Sequence, residues 1–306
     1  MKDIINNFRE WNKKMNKAEK TIEMYDSYIT NFVNEYQITV ENINQLEDKE
    51  FAKRFIDDEL NKGLKAGTIN KHKNILSTFS NYLVFEDIID SNKFKELSSI
   101  KNDSHKVSVY TDEDIKRIFD YMNNKIKEDK FQRHIDKQVY IVNMTAIKLL
   151  YKNALRISEA VSIEMNDFNL DNGNKFYIHG KGGHGKVTRF NSFSNDMIDL
   201  INKVLEIRSN IEIKDGNEKY FFISPISKSK ITEASLRKFL KNILAELNIE
   251  YNSPAHDMRH SKLSELVGKG VEISKVASFA GHKSAKTTEA FYIHPVESTM
   301  DELVNL

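Results

Sequence analysis

Residues 179–190 read His-Gly-Lys-Gly-Gly-His-Gly-Lys-Val-Thr-Arg-Phe, and the meaning of their glycines decides the fold class. Gly180, Gly182 and Gly185 satisfy the G-x-G-x-x-G pattern. Gly180, Gly185 and Lys186 satisfy most of G-x-x-x-x-G-K-[ST]. Either phosphate-loop reading requires a helix directly after the glycines, because the amides at a helix N-terminus hold the phosphates. Here the continuation is Val187-Thr-Arg-Phe, a β-prone run, and Val187 stands where a metal-binding hydroxyl would be needed. With Phe176-Tyr-Ile upstream, the stretch predicts a β-hairpin whose glycine turn pushes a lysine outward. A plain structural turn satisfies the same pattern.

Outward from the hairpin the chain is helical. Val139 to Leu150 predicts a buried helix, and Arg156 opens a short helical stretch after it. Thr232 caps a helix with Leu236, Phe239, Leu240, Ile243, Leu244 and Leu247 on one stripe. Another helix starts near Pro254 and stops near Gly268 or Gly270. Toward the N-terminus, four apolar stripes step at three to four residues. They are Ile4, Ile5, Phe8, Trp11 and Met15; Tyr25, Tyr28, Phe32 and Tyr36; Phe51, Phe55, Ile56 and Leu60; and Ile69, Ile75, Leu76, Phe79 and Leu83. Gly63 suits the C-cap of the third helix and Thr68 the N-cap of the fourth. Residues 99–110 are polar and aperiodic, and Thr111 starts a new helix with Asp112, Glu113 and Asp114 in its first turn, where acids suit the helix dipole. The expected organisation is a helical domain over 1–100, a linker over 101–110, and a mainly α domain over 111–306 with a small antiparallel sheet and a tail at 296–306.

The bulk numbers permit this. A chain of 306 residues fits about two domains. It has no cysteine, so disulfides and thiolate-held zinc are excluded and a reducing compartment fits. The first residues lack the apolar core of a secretory signal and no run reaches membrane-span length, so a cytoplasmic protein with no membrane partner is expected. Net charge is only +1, but the charge is patterned. No acid lies between Glu59 and Glu86, where Lys62, Lys65, Lys71 and Lys73 fall. None lies between Asp171 and Asp196, where Lys175, Lys181, Lys186 and Arg189 fall. Such local excesses suit phosphate contact, although a solvated lysine-rich face gives the same pattern. Lys65, Asn70, Lys71, Lys73, Lys186 and Arg189 are the candidate DNA-facing residues.

Chemistry-bearing residues concentrate in the second half of the chain: Arg156, Lys181, His256, Arg259, His282 and Tyr292. His256 and His260 stand four apart, the spacing of a metal-binding helix, but the glutamate of H-E-x-x-H is absent. His256 and Arg259, three apart, share a helix face. An arginine fork matches two phosphate oxygens.

Ala154-Leu-Arg-Ile-Ser-Glu159, the lysine hairpin, Ala255-His-Asp-Met-Arg-His-Ser261, Gly281-His282 and a late tyrosine together resemble the catalytic domain of the tyrosine recombinase, or phage integrase, family, from about Tyr110 to Pro295. Residues 68–83 resemble the end of the core-binding domain that precedes it. The resemblance implies a metal- and cofactor-independent DNA strand transferase. Tyr292 would attack a DNA phosphate, Arg156 and Arg259 would stabilise its charge, Lys181 would protonate the leaving 5′-oxygen, and His256 would take the tyrosine proton. His282 would hold the phosphate or the tyrosine, and Glu159 would orient the cluster. The family's usual spacing of nine from the histidine falls on Phe291, whereas Tyr292 is ten away and is the one tyrosine after Gly281-His282. Lys186 sits at the other base of the hairpin and competes with Lys181. The implied partners are a double-stranded DNA site and three further copies in a tetramer. A type IB topoisomerase-like enzyme and a non-catalytic DNA-binding protein are the alternative readings.

Overall fold

The computed structural model describes residues 1–101, 109–169, 175–179 and 187–282. The chain divides into two compact units, Met1–Lys106 and Val107–Leu306.

The first unit is helical: α1 (Lys2–Lys14), α2 (Glu19–Glu35), α3 (Lys49–Asn61), α4 (Ala66–Phe85) and the single-turn α5 (Lys93–Glu96). Its core follows the sequence stripes. Phe8, Ile29, Phe32, Phe55, Ile75, Leu76, Phe79 and Leu83 are buried, each worth roughly 2 kcal/mol of transfer free energy. The Phe8 and Phe79 rings meet edge to face at 5.1 Å. Two stripe residues lie outside this core: Met15, just past the end of α1, and Leu60, in the last turn of α3, are both about half exposed. Gly63 adopts φ +72°, and the Leu64 amide reaches back to the Glu59 carbonyl, which ends α3 as expected. Helix α4 starts earlier than Thr68 suggests. Lys65 is its N-cap, and Thr68 completes the first turn by donating its amide to the Lys65 carbonyl at 2.8 Å.

In the second unit, α6 (Asp112–Glu128) begins with a capping box, in which Thr111 Oγ1 accepts from the Asp114 amide and Asp114 Oδ2 accepts from the Thr111 amide. Helix α7 (His134–Lys152) is central. Every residue from Ile141 to Tyr151 is buried, and it packs against α9 (Asn195–Ser209), α10 (Glu233–Glu246) and α11 (Pro254–Gly268). The remaining helices are α8 (Ile157–Val161) and α12 (Ile273–Ala280). Thr232 caps α10, accepting from the Ser235 amide at 3.0 Å.

The sheet is antiparallel in the order β1 (Phe168–Asn169), β2 (Lys175–His179), β3 (Val187–Ser192). The β2–β3 pair is the hairpin predicted from the glycine stretch. Phe176 pairs with Asn191 and Ile178 with Arg189, and the register shifts between Ile178 and His179. The two-residue β1 has no hairpin signal of its own. It pairs Phe168 with Phe176, and their rings stack at 5.9 Å. No helix among the described residues is long and apolar enough to cross a membrane.

Candidate active site

Two helix ends and the body of a third helix converge in the second unit. Helix α7 ends in a tight turn in which Ala154 takes a left-handed conformation, φ +47°, and the Leu155 amide bonds back to the Leu150 carbonyl at 2.9 Å. Arg156 follows as the N-cap of α8. Helix α12 ends in a Schellman motif: Gly281 is left-handed at φ +67°, its amide bonds to the Ser278 carbonyl, and the His282 amide bonds to the Ala277 carbonyl, each at 3.0 Å. The Gly-His pair is therefore a helix stop that fixes where the imidazole emerges.

Helix α11 supplies the third element. Asp257, the near neighbour of the two histidines, anchors the start of this helix. It is buried, and its Oδ2 accepts from the Asn252 and Ser253 amides, both at 2.8 Å, at the start of the helix. Ser261 Oγ accepts from the Tyr110 amide at 2.7 Å, tying the helix to the chain's entry into this unit. On this anchored helix Arg259 is only 2% exposed. Its Nη1 donates to the Ala154 carbonyl, its Nη2 donates to the Ala280 carbonyl at 2.7 Å, and Nη2 lies 2.9 Å from His282 Nε2. One guanidinium thus bonds both helix ends. Because arginine only donates, His282 Nε2 must accept, and its proton belongs on Nδ1. Burial first, then the charges of Arg259, Arg156 and Arg189, lower the His282 pKa to about 4. The imidazole is neutral at pH 7.

Glu159 is buried and bridges the cations. Its Oε1 accepts from Arg156 Nη1 at 2.8 Å, and its Oε2 accepts from the Arg156 amide at 2.8 Å. Arg259 Nη1 stands 3.7 Å from Oε2. Burial alone would raise the carboxyl's pKa. Bonds to Arg189 and then to Arg156 outweigh it and hold the group below the ordinary carboxylate range. Arg156 remains 39% exposed at its side chain, so part of the guanidinium faces outward. His256 is exposed, and its ring meets His260 edge-on at 4.2 Å. Partial desolvation, then the Arg259 charge, lowers its pKa. Among the described residues no group of three or more histidines and carboxylates forms a metal-binding set.

Arg156, Glu159, His256, Arg259 and His282 are thus brought into one neighbourhood. Lys181, Lys186 and Tyr292 lie outside the described residues. Just before the lysines, His179 Nε2 meets Asp167 Oδ1 at 2.5 Å, which ties the first strand of the hairpin to the turn before β1. Three residues expected to face DNA have partners within the protein. Arg189 is 7% exposed at its side chain and bonds Glu159. Lys73 is 5% exposed, its Nζ donating to the Leu97 carbonyl at 3.0 Å and Ser99 Oγ at 3.1 Å. Asn70 makes a two-way amide bond with the Ile100 backbone, at 2.8 and 2.9 Å. Both α4 side chains hold the chain that leaves their own unit's core. Lys65 and Lys71 are exposed. The signal for Arg189 was present in the sequence: strand alternation puts residues 189, 191 and 193 on one face, and Asn191 and Phe193 are buried.

Among the described residues, two arginines and two histidines are thus grouped near one buried carboxylate. A family model described as the phage integrase family matches residues 108–298. The chain belongs to the phage integrase family. Tyrosine recombinases are among its relatives. It is 23% identical over 278 residues to tyrosine recombinase XerC of Bacillus pumilus (strain SAFR-032), covering 90% of this chain and 86% of the relative. It is 26% identical over 308 residues to the TnP I resolvase of Bacillus thuringiensis, covering 96% and 95%. Among solved structures, a Tn1549 transposon integrase in complex with a circular intermediate DNA aligns with a TM-score of 0.73 at 16% identity, covering 98% of this chain and 99% of that one. XerH site-specific recombinase bound to a palindromic difH substrate aligns with a TM-score of 0.71 at 21% identity, covering 96% and 82%. At those identities the structural likeness speaks to the fold. Family membership rests on the matched domain.

Proposed function

We propose that this site-specific recombinase cuts and rejoins DNA through a covalent 3′-phosphotyrosyl intermediate on Tyr292. The Tyr292 oxygen attacks the scissile phosphorus, the bond to the 5′-oxygen breaks, and Lys181 gives that oxygen a proton. His256, neutral near pH 7, accepts the tyrosine proton and returns it in the reverse step. Arg156 and Arg259 carry the charge that grows on the non-bridging oxygens, and His282 supports Arg259. Attack by a 5′-hydroxyl from a second duplex exchanges strands with the number of ester bonds unchanged, so neither nucleotide nor metal enters the reaction. The observation that supports this most directly is Glu159, bonded to Arg156 and 3.7 Å from Arg259. It groups two guanidiniums that lie about a hundred residues apart in the chain.

The partner is a double-stranded recombination site, bound by the lysine-bearing face of the first unit and the cation cluster of the second. The working assembly is a tetramer on two sites, in the cytoplasm, in the service of a mobile or circular DNA. The test is to incubate the protein with sheared total DNA of its host cell, denature with detergent, and sequence the DNA that stays attached to protein. A recurrent sequence recovered with the wild type and lost with Tyr292→Phe supports the reading. Adducts mapped to another residue, or none at all, would refute it.

A further inference from the structure

Arg189 is a third guanidinium in this cluster. On β3 it pairs across the hairpin with Ile178 and turns its side chain inward. Its Nη2 donates to Glu159 Oε2 at 2.9 Å and its Nη1 to Oε1 at 3.3 Å. The other side is closed by backbone. A Cβ placed on Gly281 would stand 2.4 Å from Arg189 Nη1. Arg189 thus lies between Glu159 and the α12 stop, with both terminal nitrogens bonded to Glu159.

Its effect on the reaction is through charge. Glu159 lies beside the two arginines that would hold a phosphate, and a carboxylate there opposes the anion they bind. Three guanidiniums around one carboxylate leave two net positive charges, and without Arg189 one would remain. A charge lost from a water-poor site is felt more strongly than one lost at the surface.

We propose that Arg189 is a positioning residue for DNA cleavage: by neutralising and holding Glu159, it leaves Arg156 and Arg259 with their full charge for the scissile phosphate. This rests on the recombinase reading above. The role belongs to β3, so the strand that follows the lysine turn also sets the electrostatics of the arginine pair.

The probe is a duplex carrying the captured site, nicked beside the scissile phosphate so that the cleaved end is lost and the adduct accumulates. Arg189→Gln is expected to slow adduct formation by about 10²-fold, the scale of one lost stabilising group, with DNA affinity within about threefold of wild type. The defect should persist on a duplex with a bridging 5′-sulfur, because charge stabilisation and not leaving-group protonation is lost. Adding Glu159→Gln to Arg189→Gln removes the stranded anion and should raise the rate about tenfold over the single variant. An Arg189 that serves only to support the fold predicts the opposite, a double variant as slow as the single or slower. If circular dichroism shows Arg189→Gln unfolded, the double variant and Arg189→Lys carry the comparison, and rates within about tenfold of wild type sustain the role. A wild-type rate for Arg189→Gln, or a double variant as slow as Arg156→Ala, overturns it. Failure of the wild type itself to form any adduct while binding the duplex overturns the recombinase reading and this role together.

Discussion

At the scale of single residues, burial and partner decide what a charged side chain does. Lys71 and Lys73 are two positions apart on α4, yet one is exposed and the other is 5% exposed against a carbonyl and a hydroxyl. Lys71→Gln should weaken DNA binding evenly across sequences and reduce the slope of log affinity against log salt by about one. Lys73→Met should leave that slope unchanged and lower the unfolding midpoint in urea. Salt-titrated affinity measurements on the two variants check both outcomes. His260 gives a pH prediction. Burial first, then His256, Arg259 and His282, lowers its pKa from 6.5 to about 4. The native state then binds fewer protons than the unfolded chain between those values. Stability is complete above about pH 6.5 and falls as the pH drops toward 4. His260 should contribute a loss on the order of 2 kcal/mol over that window. Melting temperatures measured from pH 7 to pH 4.5 should fall, and more gently in His260→Gln. An equal slope in both proteins would remove this histidine from the account.

At the scale of elements, the sequence was most legible where a local rule and a tertiary need coincide. The Thr111 start, the Thr232 cap and Gly63 each satisfy local hydrogen bonds and were each marked by residue type, whereas Gly281 was read only as part of a Gly-His pair and not as a helix stop. The hairpin was legible because glycines followed by Val187-Thr-Arg-Phe cannot start a helix. Thr68 misled because a threonine in the first turn resembles a cap, whereas the chain before it, at Lys65, already has the extended backbone that starts α4. Strand β1 was hidden because two residues carry no period. The burial of Lys73 and Arg189 depends on long-range contacts, which composition does not encode. Only strand alternation hinted at the second. One consequence is measurable: Thr111→Ala should cost α6 about 1 kcal/mol, seen as a lower urea midpoint with an unchanged m-value. A second concerns Gly281→Ala, which puts a side chain into left-handed backbone and against Arg189 Nη1. Its adduct rate should fall to that of Arg189→Gln or below.

At the scale of the whole molecule, each unit has its own core. The aromatic cluster around Phe8, Phe32, Phe55 and Phe79 belongs to the first unit, and the layer around α7 to the second. Expressed separately, residues 1–106 and 107–306 should each melt cooperatively by circular dichroism. The second should keep the Glu159 cluster, and a non-cooperative melt of either piece would contradict independent cores. Of the sequence motifs that identified the second unit, Arg156 and Gly281-His282 lie at helix ends and His256 and Arg259 lie within α11. The first unit offered apolar stripes and a lysine-rich run, and these carry no reaction chemistry of their own.

Arg259 grips the ends of α7 and α12 through the carbonyl oxygens of Ala154 and Ala280. Every amino acid carries such an oxygen, so the grip does not depend on which side chains those positions bear. A clamp that reads backbone alone lets its surroundings be rewritten, provided the two helices still stop at the same place. Side chains at those two positions can then change without moving the arginine. Replacing Ala154 with asparagine, which tolerates the left-handed turn, should leave adduct formation near wild type. Replacing it with valine, which resists that turn, should not.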